Sequence, residues 1–390
     1  MTPAERRTSA ALASVYALRM LGLFIVLPVF ALQARHYPGG DDPALVGLAM
    51  GIYGLTQALL QVPLGMASDR LGRKPVILAG LAMFAIGSAV AAWAPSIGWL
   101  VAGRALQGAG AISAAVTALL ADLTRDAVRT KAMALVGVSI ALMFALSLVA
   151  APTLVPHVGL SGLFVITLCL TLAAMAVVAW VVPAEPPRQP GAPRASLREV
   201  LRQRDLLRVD AAVFILHAAQ MMTWLTVPAL LVQAGLDAAH HWQVYLPAVV
   251  VSLLIVGGLL FRLERMGYFR AVYLGTVALI GLVQLALLTQ VSSPSLWTLG
   301  VLLCLYFVGF NTQEASQPSL ASRLAAPHQR GTALGVFNTL MSLGIFTGGA
   351  VGGMVARTWG PSGIFVASAA LVAVWLAVAW GMKPGAAPRH

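Results

Sequence analysis

The chain has 390 residues, 59% of them hydrophobic and only 10% charged, with a mean hydropathy of +0.86. A soluble domain carries roughly 25% charged residues, which excludes a water-soluble globular protein, and the apolar content excludes a disordered one. The net charge of +12 would suggest nucleic acid in a soluble chain. In a membrane protein the plainer reading is that Lys and Arg gather in cytoplasmic loops, so no nucleic-acid partner is expected.

Charged and turn-forming residues cut the sequence into twelve apolar stretches, each near the roughly 20 residues that cross a bilayer as a helix. In chain order they cover about 10–34, 44–66, 75–95, 97–122, 132–154, 160–182, 209–234, 243–261, 271–290, 296–320, 332–356 and 362–381. The first is too long for the 7–15-residue core of a signal peptide and is expected to be retained. The ten-residue alternation of a transmembrane β-barrel does not occur. With twelve spans, one set of alternating loops and tails takes 21 of the 25 basic residues. The opposite set takes only Arg35 and Arg357, while Arg19 and Arg104 fall inside spans. Both termini are therefore expected in the cytoplasm, with the protein in the cell's inner membrane.

The longest polar interval, 183–208, holds Pro183, Pro186, Pro187, Pro190 and Pro193 with six arginines. It reads as a cytoplasmic linker between an N-terminal bundle, 1–182, and a C-terminal bundle, 209–390. Its stretch 196–208 has the pattern of a short amphipathic interfacial helix. The two halves echo one another. Asp69-Arg70-Leu71-Gly72 has a counterpart in Glu264-Arg265-Met266-Gly267, and Arg129-Thr130-Lys131 in Arg330-Gly331-Thr332. Parallel six-helix repeats mark one large transporter fold.

The loop after the second span reads Gly65-Met66-Ala67-Ser68-Asp69-Arg70-Leu71-Gly72-Arg73-Lys74-Pro75. It closely resembles the signature loop of the major facilitator superfamily, Gly-x-x-x-Asp-Arg-x-Gly-Arg-Arg/Lys. Arg104-Ala105-Leu106-Gln107-Gly108-Ala109-Gly110 in span four resembles the family's Arg-x-x-Gln-Gly-x-Gly element. Leu21-Gly22 and Leu27-Pro28-Val29 in span one are similar to a pattern of twelve-span drug/proton antiporters. The resemblance runs along the whole chain and is strongest to bacterial multidrug-efflux members, with no extra C-terminal soluble domain expected. Span five departs from the antiporter motif, keeping Pro152 but few glycines, whereas span eleven carries Gly344, Gly348, Gly349, Gly352 and Gly353.

The resemblance implies an all-α integral membrane protein of twelve helices in two pseudo-symmetric six-helix bundles. It also implies a gate, with Asp69, Arg73 and Asp122 holding the outward-open state, Gly65 and Gly72 allowing close packing and a tight turn, and Arg70 alongside. A topology-setting role explains Arg70 and Lys74 equally well. Arg104 is implied to face the central cavity and take part in proton coupling.

Of the 13 acids only Glu314 lies well inside a span. An ionisable group at that depth is a functional-site hypothesis, and burial is expected to favour its protonated form. Proton or substrate binding competes with a structural hydrogen bond, while Asn311 and Gln317 put polar groups nearby. Arg19 either faces the same cavity or snorkels to the interface. Further substrate-binding candidates are helical stripes: Tyr53, Gln57 and Gln61 in span two, and His217, Gln220, Met221 and Trp224 in span seven. For each, ordinary packing is the competing reading.

Cys169 and Cys304 lie in opposite halves and suggest no disulfide framework, and His240-His241 has no third ligand, so no metal is expected. The absence of a Walker A sequence speaks against an ATP-driven pump, and Gly108-Ala109-Gly110 follows no strand and reads as helix packing. No cofactor and no enzymatic activity are expected. The leading reading is a monomeric secondary transporter in the lipid bilayer, exporting small amphipathic compounds or drugs in exchange for protons. The alternative is a symporter or uniporter of a metabolite such as a sugar or organic anion.

Overall fold

The computed structural model describes residues 1–183, 185, 197–326 and 329–381. Its regular structure among the described residues is entirely helical. Among the described residues, ten segments are long and apolar enough to cross a membrane. The chain divides into two compact units, Met1–Pro190 and Gly191–His390.

In the first unit α1 (Pro3–Phe24) opens on a capping box, with Thr2 Oγ1 accepting from the Glu5 amide and Glu5 accepting from the Thr2 amide. Pro28 sits where α1 gives way to α2 (Leu27–Gln33). α3 (Pro43–Leu71) starts under an Asp42 cap with proline at the first helical position. α4 (Arg73–Ala92), α5 (Ile97–Ala109), α6 (Ser113–Asp122) and α7 (Asp126–Ala176) follow. The second unit comprises α8 (Leu197–Val200), α9 (Arg204–Gln233), α10 (Trp242–Ile255), α11 (Phe261–Leu263), α12 (Phe269–Thr289), α13 (Leu296–Leu324) and α14 (Arg330–Trp380).

Two expectations are corrected. The fourth span is not one helix: it breaks at residues 110–112, and Gly80 makes room, since a Cβ there would lie 2.3 Å from Ile112 Cγ2. The breaks expected near 155–159 and 357–361 are present as kinks at Gly159 (φ 65°) and Gly360 (φ 65°), where two helices meet within the 51-residue runs of α7 and α14. The helix expected at 196–208 is split. Its first turn, α8, buries Val200 beside Leu206, Ala325, Ala333 and Val336, an intramolecular contact in place of a lipid surface. Residues 204–208 already belong to α9. Positions 184 and 186–196 of the expected linker, including Arg188 and Arg194, lie outside the described residues, as do Lys383 and Arg389.

The internal repeat is written into the backbone. Six described glycines have positive φ, a region that L side chains avoid, and they form three pairs: Gly39 with Gly235, Gly72 with Gly267, and Gly159 with Gly360. Their spacings are 196, 195 and 201 residues. The packing repeats as well. α1 lies on α7 as α9 lies on α14, α3 on α5 as α10 on α13, and α4 on α5 and α7 as α12 on α13 and α14.

Burial is arranged for lipid. Leu59, Leu142, Leu254, Leu282 and Val374 are exposed in the middle of helices, while Gln107, Gln284, Gln313, Thr312 and Ser342 are fully enclosed. Exposed Trp93, Trp99, Trp180, Trp297, Trp359 and Trp380 stand at helix ends, where amphipathic rings favour the headgroup level. α9 packs closely against α14. Cβ atoms at Gly344 and Gly348 would each lie 2.3 Å from the carbonyl oxygens of Phe214 and Ala218. Small residues at such crossings let helix backbones approach in lipid.

Candidate functional site

At the junction of α3 and α4 the chain turns through Gly72 (φ 116°), and the turn throws Arg73 back across the end of α3. Arg73 Nη1 donates to Asp69 Oδ1 at 2.5 Å and to Ser68 Oγ at 2.8 Å, and its Nε donates to Asp122 Oδ2 at 3.2 Å. One guanidinium thus joins the ends of α3, α4 and α6. The Arg73 and Asp69 side chains are less than a quarter exposed, whereas Asp122 is 43% exposed. Ser68, which in turn donates to the Gly65 carbonyl, carries no charge and was not expected in this cluster.

The packing role expected of Gly65 is not observed, because a Cβ there would make an ordinary 3.6 Å contact with Ala114. Arg70 is exposed at the end of α3. The loop is further tied to the end of the seventh helix. Lys74 Nζ donates to the Val182 carbonyl at 2.8 Å, and Glu185 Oε1 accepts from the Lys74 amide at 3.1 Å. A neighbouring tie joins α1 to the α6–α7 turn, where Arg125 Nε and Nη2 donate to the two Glu5 oxygens at 2.7 and 3.1 Å. That bidentate bond holds the Arg125 guanidinium above its usual range.

Deeper in the same unit a basic cluster surrounds Tyr53. Arg19 is fully buried and donates to Tyr53 Oη at 2.9 Å, the Gly110 carbonyl at 3.3 Å and Ser113 Oγ at 3.4 Å. Its cation also stands 5.6 Å from the centre of the Phe84 ring. Snorkelling is excluded, since Arg19 bonds inward to the carbonyl freed by the break between α5 and α6. Arg104 lies 5.1 Å over the Tyr53 ring and donates to Gln107 Oε1 at 2.8 Å. Gln107 donates onward to Ser88 Oγ at 2.9 Å. Gln107 is one turn from Arg104, a spacing that could have flagged it from the sequence. Gln57 and Gln61 are buried along the same side of α3, each with a side-chain carbonyl oxygen lacking a hydrogen-bond partner.

In the second unit His217 of α9 is buried, and its Nδ1 lies 3.0 Å from the Val213 carbonyl. A carbonyl only accepts, so Nδ1 carries a proton. His217 Nε2 faces Glu314 Oε2 of α13 at 3.5 Å. The expected burial of Glu314 is not observed, because its side chain is 46% exposed. Its expected polar neighbours diverge. Asn311 donates to Ser252 of α10, while Gln317 and Gln313 form a buried chain to Thr276 and the Tyr273 carbonyl of α12.

Gln220, Met221 and Trp224 are buried on α9, with Trp224 edge-on to Tyr245 at 5.4 Å, a packing contact. Asp210 is buried six residues into α9, and one of its carboxylate oxygens has no hydrogen-bond partner. No group of three metal-ligating side chains occurs among the described residues.

A helical chain with lipid-adapted burial, a repeated half and few charged residues within its helices has the build of a membrane transporter. Its sequence matches the Major Facilitator Superfamily over residues 12–349, and the chain belongs to that superfamily. It is a multi-pass membrane transporter and not an enzyme. Across 387 residues it is 42% identical to the inner membrane transport protein YajR of Escherichia coli, covering 98% of this chain and 85% of that one. It is 28% identical to the multidrug resistance protein MdtH of Yersinia enterocolitica, over 85% and 82% of the two chains. The human organic anion transporter MFSD10 shares the fold, with a TM-score of 0.70 at 20% identity and 97% and 100% coverage.

Proposed function

We propose that the chain is a proton-coupled exporter of small amphipathic compounds, working by alternating access between six-helix bundles at 1–182 and 209–390. Helix lengths support twelve crossings. At 1.5 Å per residue, 51 residues would run about 75 Å, more than twice a hydrocarbon core of about 30 Å. Gly159 and Gly360 divide each long helix into two spans. The bias of basic residues towards one set of loops supports cytoplasmic termini, and the YajR relative supports the inner membrane. The likeness to MdtH supports drug export.

The observation that carries proton coupling is the His217–Glu314 contact. Because Nδ1 donates to Val213, an attractive Nε2–Oε2 contact holds one proton, on the imidazolium or on the carboxyl group. A second proton replaces the ion pair with a weaker imidazolium–carboxylic acid hydrogen bond, and losing the proton leaves a lone pair facing a carboxylate. Occupancy of this pair therefore biases the packing of α9 against α13. In this reading Asp69, Arg73 and Asp122 clamp one state at the cytoplasmic end, with Gly65, Arg70 and Gly72 in the same loop. Arg104 supplies a fixed positive charge in the first bundle.

The test is proton flux in everted vesicles. Adding a transported compound releases a preformed pH gradient if the protein is an antiporter. Accumulation driven by inward proton flow favours the metabolite-symport reading instead.

A further inference from the structure

We propose that Arg104 and Tyr53 recognise an organic anion, and that Gln57 and Gln61 read hydrogen-bond donors further along the same molecule. The inference rests on the transporter reading and names the substrate class. Its starting point is an imbalance of charge. Arg19 and Arg104 are 0% and 3% exposed, and neither has a carboxylate partner among the described residues. An uncompensated buried ion is costly, so each guanidinium needs either oriented dipoles or an anion.

Arg19 has the dipoles. Its terminal nitrogens face the Gly110 carbonyl at the end of α5, where the helix dipole is negative, together with Ser113 Oγ and Tyr53 Oη. It acts as a positioning residue that fixes the Tyr53 ring. Arg104 has only one amide oxygen and the face of that ring. Its Nε, like that of Arg19, is enclosed and has no hydrogen-bond partner, so the difference between the two lies in the terminal nitrogens. Arginine's planar fork matches carboxylate geometry, so the missing partner is a carboxylate or a similar oxyanion.

The same side of α3 carries the complementary lack. Gln57 and Gln61 have enclosed carbonyl oxygens without donors, and they follow Tyr53 at four and eight residues. Four helical residues advance about 6 Å. Unpaired donors at the Tyr53 level and unpaired acceptors about 6 and 12 Å along the helix fit one extended ligand. Its anionic end meets Arg104, and its hydroxyl or N–H groups meet the glutamines.

The test uses full-length protein in detergent, reading the thermal unfolding midpoint at fixed pH against 4-hydroxybenzoate, benzoate and neutral 4-hydroxybenzamide. Sodium is held constant by exchange with chloride. The expected result is a saturable rise with 4-hydroxybenzoate, a weaker one with benzoate and none with the amide. Arg104→Gln is expected to raise the half-saturating concentration about tenfold or more, the loss of one charge-assisted hydrogen bond. Gln57→Leu, which leaves the cation in place, is expected to erase the preference for 4-hydroxybenzoate over benzoate. Equal shifts with acid and amide, undiminished binding in Arg104→Gln, or a response to chloride alone would overturn the proposal. Binding is read without a gradient, so failure of proton coupling leaves this result standing, and the reverse also holds.

Discussion

The contact between α9 and α14 allows a sharp prediction because one helix contains its own control. An added Cβ at Gly344 or Gly348 would lie 2.3 Å from a backbone carbonyl oxygen of α9. That is roughly 1 Å inside the ~3.3 Å at which carbon and carbonyl oxygen meet comfortably. The obstacle is backbone and cannot rotate away, so the helices must separate along the seam. Overpacking of this kind costs about 1–3 kcal/mol, which for a unit of this size lowers the unfolding midpoint by about 2–12 °C. Gly335, on the same helix, has nothing within 4 Å of its virtual Cβ. There Gly→Ala gains about 0.5–1 kcal/mol of helix propensity. Thermal unfolding of Gly344→Ala, Gly348→Ala and Gly335→Ala in the same detergent checks this. Equal midpoints for Gly344→Ala and Gly335→Ala would refute the claim that these helices meet through glycine backbone.

Within the signature loop, Gly72→Ala is expected to lower stability by about 1–2 kcal/mol through its left-handed φ, while Gly65→Ala stays within about 0.5 kcal/mol of the parent. Similar losses at both positions, measured by thermal unfolding, would contradict the geometry given to them. Asp69→Asn removes the charge from a partly exposed ion pair and is expected to cost only about 1 kcal/mol. Its larger expected effect is on transport in correctly inserted protein, and unchanged transport rates would remove the clamp from the account. Tyr53→Phe deletes the buried acceptor of Arg19, with an expected loss of about 1.5–3 kcal/mol in unfolding free energy. A stability equal to the parent's would show that Arg19 is held by Gly110 and Ser113 alone.

What the sequence conveyed best was whatever has a one-dimensional signature. Apolar runs between charges located the helices, and the family resemblance grouped Asp69, Arg73 and Asp122, which the structure brings together. It conveyed less where the outcome depends on which way a side chain turns. Glu314, Asn311 and Gln317 lie within seven residues on α13, yet they face α9, α10 and the neighbouring Gln313. Two partners were equally hidden: Ser68, which carries no charge, and Glu185, 111 residues from its partner, are fixed by contacts with Arg73 and Lys74. The break at 110–112 depends on Gly80 across the helix pair, which no local pattern announces. Repeated left-handed glycines, by contrast, became visible only as backbone conformation, although their sequence spacing was in plain view.

The central claim is that His217 and Glu314 hold the proton exchanged for substrate. Its most direct measurement is dissipation of a preformed pH gradient in everted vesicles, challenged with a panel of amphipathic acids and drugs. Parent protein and Glu314→Gln are compared at matched membrane abundance. The account predicts that compounds releasing the gradient through the parent fail to do so through Glu314→Gln. Substrate-dependent release of equal size through the variant would contradict it.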